Sequence, residues 1–171
     1  MDSCANKRNA QRGTRSTQNP FSPMIKAVFD SSVLVAALLT PKGLSRSLIE
    51  LARSRTFKLC LSPEIIAEVQ KRLFTRKHLR ERYDYSDEEV AYFINSLRNF
   101  VTVITDLPTV QIVRDPNDDF IVATAIKAKV EYLVARDKDL LTLGACENIS
   151  IITPEVFFQI LKNQIREDEH E

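Results

Sequence analysis

The chain has 171 residues, 44% of them hydrophobic and 27% charged, with a formal net charge of +1. That length suits one domain with a real core, and the near-neutral balance gives no global basic field of the kind that marks a nucleic-acid binder. No apolar run reaches the roughly 18–20 residues of a membrane span, and Cys4, Cys60 and Cys146 match no zinc spacing, so reduced thiols in a cytoplasmic protein are expected.

In chain order, MDSCANKRNAQRGTRSTQNPFSP comes first. It carries Lys7, Arg8, Arg12 and Arg15 against Asp2, a net of +3, and leaves the remainder at −2. Residues 1–23 read as a disordered basic tail, with Met24 as an alternative start. One domain is expected over 24–163 and a frayed, charged tail over 164–171. IKAVF (25–29) opens the domain as a buried strand. SVLVAALL follows as a helix that stops near Pro41 and Gly43. LSRSLIELARS is a second helix with Leu44, Ser47, Leu48, Leu51 and Ala52 on its apolar face. FKLCL (57–61) is the next strand. SPEIIAEVQKRLF is a helix with Ser62 as N-cap and Pro63 at the first position, burying Ile65, Ile66, Val69 and Leu73. It leads into a basic stretch, KRLFTRKHLRER (71–82). SDEEVAYFINSLRN opens with a capping box of Ser86 and Glu89 and buries Val90, Phe93, Ile94 and Leu97. VTVI (101–104) is a strand. DDFIVATAIKAK is apolar nearly all round, as a buried helix is. EYLVA (131–135) and ISII (149–152) are strands, and PEVFFQILKN closes the domain.

Strands alternating with helices argue an α/β fold with a mainly parallel sheet of about five strands covered on both faces. The only glycines are Gly13, Gly43 and Gly144, which excludes a dinucleotide fingerprint and a P-loop. Ligands of such sheets bind beyond the carboxyl ends of the strands. Asp30 directly follows IKAVF. Asp118 and Asp119 start the buried helix. Asp137 follows EYLVAR. Glu68 lies about one and a half turns into its helix, on the side of Glu64. Each has an ordinary use alone. Asp30 and Asp137 can cap helices, Asp115, Asp118 and Asp119 suit a helix start, and Glu68 can pair with Lys71 or Arg72. Gathered at one sheet edge they would repel, by roughly 4 kcal/mol per pair about 4 Å apart at an effective dielectric near 20. A hard divalent cation, Mg²⁺ or Mn²⁺, relieves that repulsion, and such a site can activate water and clamp a phosphodiester. Lys71, Arg72, Arg76 and Lys77 can guide a phosphate backbone toward the acids or simply form a solvated basic face.

Four blocks, VFDSSVLVAALL, LSPEIIAEVQKRL, DPNDDFIVATAIKAKVEYLVARDKDLL and IITPEVFFQIL, resemble the PIN domain. Their order and spacing are those of its bacterial branch of VapC-like toxins from toxin–antitoxin pairs. The resemblance covers Ile25 to about Leu161. It implies a three-layer α/β/α sandwich and a Mg²⁺- or Mn²⁺-dependent endoribonuclease. Its first acid falls on Asp30, its helix glutamate on Glu68, its third acid on Asp118 with Asp119 as an adjacent further ligand, and its fourth on Asp137. Ser31 keeps the hydroxyl usual after the first aspartate, as a support for the ligands. Ala135 stands where a hydroxyl is usual before the fourth acid. The resemblance further implies cleavage to a 5′-phosphate and a 3′-hydroxyl, RNA as substrate and a cognate antitoxin as partner; no membrane is expected as a partner, since no apolar run is long enough for a span. A homodimer is left open. The alternative is a PIN-fold module that binds RNA or protein without cleaving. A haloacid-dehalogenase-type phosphatase is poorly matched, since DSS lacks its Asp-x-Asp, and so is a receiver domain, since ISIITPE offers no lysine.

Overall fold

The structure is a computed structural model that describes residues 24–113 and 118–170. The N-terminal tail and Asp115 lie outside the described residues. The strands are β1 (Lys26–Phe29), β2 (Lys58–Leu61), β3 (Thr102–Val103), β4 (Tyr132–Val134), β5 (Ala145–Cys146) and β6 (Ile149–Ile152). They form one six-stranded sheet in the order β3-β2-β1-β4-β6-β5. Every neighbouring pair is parallel except β5 with β6. The five apolar runs all supply strands. The sixth, β5, is two residues long and has no apolar run to announce it. Gly144, at φ 73°, ends the preceding helix in a left-handed conformation, and Glu147, at φ 54°, turns the chain into β6.

The helices are α1 (Ser31–Leu39), α2 (Leu44–Arg53), α3 (Pro63–Thr75), α4 (Lys77–Arg82), α5 (Asp87–Phe100), α6 (Asp119–Ala128), α7 (Lys138–Leu143) and α8 (Pro154–Glu169). The stripes expected of α3 and α5 are the ones buried. The face of α2 is rotated from expectation. Ser45, Leu48, Ile49 and Ala52 are buried, while Ser47 is exposed and Leu51 only half-buried. That set keeps the i, i+3, i+4, i+7 spacing and adds Ile49, a larger apolar side chain than Ser47. The C-terminal end also differs. Residues 164–169 continue α8 as an exposed helix rather than fraying, consistent with the helix-forming Gln, Ile, Arg and Glu found there. No single helix among the described residues is long and apolar enough to cross a membrane.

Helix α6 packs across β1, β2 and β4 and also meets α3, which explains why it is apolar nearly all round. On α8, Phe157 stands 4.9 Å from Phe57 and 6.0 Å from Phe29 between ring centroids, both edge to face. All three rings are fully buried, so this cluster fixes how α8 sits on β1. Cys60 is a buried free thiol whose pKa burial pushes up. Cys146 is buried in β5, and Cys4 lies outside the described residues.

The chain moves from β1 outward to β2 and β3, then returns to the other side of β1 with β4. The order therefore reverses between β1 and β4, and the crevice at their carboxyl ends is where a ligand is expected.

Candidate active site

The residues that follow β1 and β4 meet at that crevice. Asp30 sits one residue past β1 and is 1% exposed. Its backbone N–H donates to Val134 O at 3.0 Å, which ties the end of β1 to the end of β4. Its Oδ1 accepts from Val33 N at 2.8 Å and so caps α1. Its Oδ2 accepts from Arg136 N at 3.1 Å and from Asp137 N at 3.3 Å. Three of the carboxylate's roughly four acceptor sites are thus filled by backbone. Burial nonetheless raises the Asp30 pKa above the usual aspartate value; the three backbone donors counter that, and nearby Asp137 adds to it.

Asp137 caps α7, its Oδ1 accepting from Asp139 N at 2.9 Å and Leu140 N at 3.2 Å. The same bond draws Asp139 alongside. Asp118 arrives from the start of α6, and its side chain makes no capping bond to that helix. Carboxylate oxygens of Asp118, Asp137 and Asp139 all lie within 4.8 Å of one another, each residue half-buried. The spacing of acids alone did not single out Asp139. The signal was the second aspartate of RDKD, which a cap on Asp137 brings back to the same point.

A cavity of about 470 Å³ opens over these strand ends. Asp30, Glu68, Asp118 and Asp137 line it, so the four acids expected at the site share one chamber. Ser31 lines it too, and its buried Oγ has no hydrogen-bond partner. Asp119 does not line it. Its Oδ1 accepts from Ile112 N at 3.0 Å and Val113 N at 2.8 Å, so its carboxylate latches the segment before α6. Ala135 is fully buried and offers no hydroxyl at the fourth acid.

The opposite wall is α3. Lys71 and Arg72 line the cavity from there and Arg76 from just past its end, while Lys77, at the start of α4, does not. Arg72 is the inward member. Its Nη1 donates to Ser32 Oγ at 3.1 Å, and its buried Nε has no partner, an omission that typically costs about 1–3 kcal/mol. Burial and then Arg76 lower its pKa, while Glu68, Asp30 and Asp118 act to raise it. The guanidinium stays protonated at neutral pH. A basic side chain anchored to Ser32, 40 residues away in sequence, therefore shares the cavity with the acids.

The donor set fits a hard divalent cation. It is oxygen only, and two oxygens bound to one ion at about 2.0–2.6 Å stand no more than about 5 Å apart. The partnerless Ser31 Oγ is a further oxygen left for a ligand or its water. Three carboxylates this close repel one another, and a divalent cation offsets that repulsion.

A profile of the PIN domain family matches residues 26–139. An uncharacterised protein of Methanocaldococcus jannaschii is 24% identical over 119 residues, which is 70% of this chain and 75% of that protein. Among solved structures, the PIN domain of T. brucei RRP44 overlays with a TM-score of 0.47 at 14% identity, covering 87% of each chain.

Proposed function

The chain belongs to the PIN-domain family, and from that premise we propose that it is an endoribonuclease dependent on Mg²⁺ or Mn²⁺, acting as the toxin of a toxin–antitoxin pair. Members of this family are typically metal-dependent nucleases. The observation that carries the reading is the convergence of Asp118, Asp137 and Asp139 within 4.8 Å, beside a cavity that Asp30 and Glu68 also line.

Asp118, Asp137 and Asp139 would hold the ion. When bound, such an ion supplies Lewis acidity, making water a stronger nucleophile near neutral pH and offsetting charge that builds on a phosphoryl oxygen. The protein does the rest by placement. Asp30 accepts from the main chain of Arg136 and Asp137 and so fixes where the Asp137 carboxylate stands. Asp30 itself lines the same chamber. Glu68 adds a carboxylate from α3, available to orient water. Lys71 and Arg76 set positive charge at the wall opposite the strand ends, where a phosphate backbone can lie without displacing the carboxylates.

Titration calorimetry with Mn²⁺, paired with cleavage of total RNA, tests the reading. We expect one Mn²⁺ equivalent or more to bind and RNA to be cut only when the ion is present. Asp118→Asn that cleaves as fast as wild type under Mn²⁺ would sink it. The toxin assignment is supported by the order and spacing of the four sequence blocks. It predicts that the product of an adjoining reading frame binds the chain and suppresses cleavage.

A further inference from the structure

We propose that Arg72 is the phosphate-binding residue of this site, gripping the scissile phosphate from α3 while the carboxylates face it from the strand ends; this rests on the nuclease reading above. Arg72 stands one helical turn after Glu68, half-buried, in the cavity that Asp30, Asp118 and Asp137 line. It differs from its basic neighbours in this. Lys71 and Arg76 are exposed.

The way it is held is specific. One corner of the guanidinium, Nη1, is pinned to Ser32 Oγ at 3.1 Å. Ser32 belongs to the same turn that carries Asp30 and Ser31, so one short segment positions both the acid and the base. The other edge, Nε with Nη2, makes no hydrogen bond among the described residues, and Nε is buried. That edge is one of the two forks by which a guanidinium takes two oxygens of a phosphate in parallel. A lysine cannot present it.

Arg72 is also not a structural ion pair. Glu68, Asp30 and Asp118 influence its charge, yet no carboxylate among the described residues stands within ion-pair distance of it. A cation merely standing in for a metal would be expected to close onto the carboxylates. This one stops short of them, tied to a neutral serine. The gap between guanidinium and acids is where a phosphate bridging both would sit.

The test uses the full chain with Arg72→Gln, Arg72→Lys and Ser32→Ala, and Arg98→Gln as a control of equal charge change on the exposed face of α5. The first arm measures fluorescence anisotropy of a labelled single-stranded RNA oligonucleotide in EDTA, where nothing is cleaved. We expect Arg72→Gln to bind about tenfold more weakly, Arg72→Lys to recover part of that loss, and Arg98→Gln to bind within twofold of wild type. The second arm is Mn²⁺ calorimetry, in which Arg72→Gln should bind the ion as tightly as wild type. In the third, cleavage under Mn²⁺, kcat/KM should fall about 100-fold for Arg72→Gln and a few-fold for Ser32→Ala. Oligonucleotide binding within twofold of wild type by Arg72→Gln overturns the proposal, and so does a wild type that binds no oligonucleotide. Mn²⁺ binding tightened at least tenfold with kcat retained would make Arg72 a stand-in cation, which also overturns it. A wild type that binds RNA through Arg72 but never cleaves defeats the nuclease reading instead and leaves the phosphate contact standing.

Discussion

The two walls of the cavity are built on opposite plans. At the strand ends the acids are short side chains held by backbone. Asp30 accepts three main-chain N–H groups and Asp137 two. Across from them, Glu68, Lys71 and Arg72 of α3 and Arg76 just past its end project as long side chains, and among the described residues the one hydrogen bond made by these four side chains is Arg72 to Ser32. The difference follows from what each wall would hold. A small cation requires oxygens fixed to a few tenths of an ångström, which backbone-locked aspartates supply. A polymer of phosphates requires charge with reach, and tolerates, even favours, side chains that adapt.

The largest effect that should follow is on the rigid wall. Asp118→Asn removes an oxygen charge from the cluster without removing a helix cap, since Asp118 makes none. Cleavage should fall by about 10³-fold, the equivalent of several kcal/mol of charge stabilisation. Mn²⁺ binding should weaken in the same variant while its melting temperature holds. If Asp118→Asn melted far below wild type, its carboxylate would be structural and the division between the walls would fail there.

Asp119 offers the converse test one residue away. Its Oδ1 holds two main-chain N–H groups in front of α6. Asp119→Ala should therefore cost about 1–3 kcal/mol in denaturant unfolding and leave Mn²⁺ affinity unchanged. Loss of Mn²⁺ affinity as steep as that of Asp118→Asn would return Asp119 to the ligand set.

That pair also marks where the sequence could be read and where it could not. The strands showed as apolar runs because parallel strands are buried on both faces, and α3, α5 and α6 showed through period and capping residues. Asp30, Glu68, Asp118 and Asp137 were legible because strand ends of an α/β sheet are where ligands go, and the chamber gathers all four. Adjacent aspartates, though, are indistinguishable in a string. Whether Asp118 or Asp119 points at the strand ends depends on how the first turn of α6 is wound. Asp139 was hidden for a similar reason, since it reaches the cluster only once Asp137 folds back to cap α7. Arg72 was visible as a basic residue but not as the inward one, because burial on α3 is decided by its packing near Ser32, 40 positions earlier. The face of α2 slipped because LSRSLIELARS places Leu, Ile and Ser so that two stripes are nearly equal, and tertiary contact with α1 and α8 chose between them.

The flexible wall should give a smaller and differently shaped response. Neutralising Lys71 and Arg76 together as glutamines should lower the slope of log affinity for single-stranded RNA against log salt by about 1.4, two contacts at about 0.7 each. Turnover at saturating RNA should hold, because neither residue is fixed against the strand ends. An unchanged slope would reduce both to solvated surface, and a fall in kcat equal to that of Asp118→Asn would merge the two walls into one machine.

The finest test is the pH dependence of stability without metal. Burial raises the pKa of Asp30 above its unfolded value of 3.8, so the folded chain keeps a proton that the unfolded chain gives up. Between 3.8 and the raised folded value the native state binds more protons than the unfolded state, and stability must fall as pH rises. The contribution of Asp30 is therefore fully present below the unfolded pKa and lost above the folded one, the reverse of an exposed, salt-bridged aspartate. The change is bounded by the uptake of less than one proton. Other carboxylates titrate in the same range, so the quantity to measure is a difference. In EDTA, the melting temperature of wild type minus that of Asp30→Asn should decline as pH climbs through this window and then level off. Saturating Mn²⁺ should abolish or invert the decline, because a cation favours the ionised carboxylate. A difference that rises with pH in EDTA would mean that the three backbone donors outweigh burial, and that Asp30 is held ionised by the fold alone.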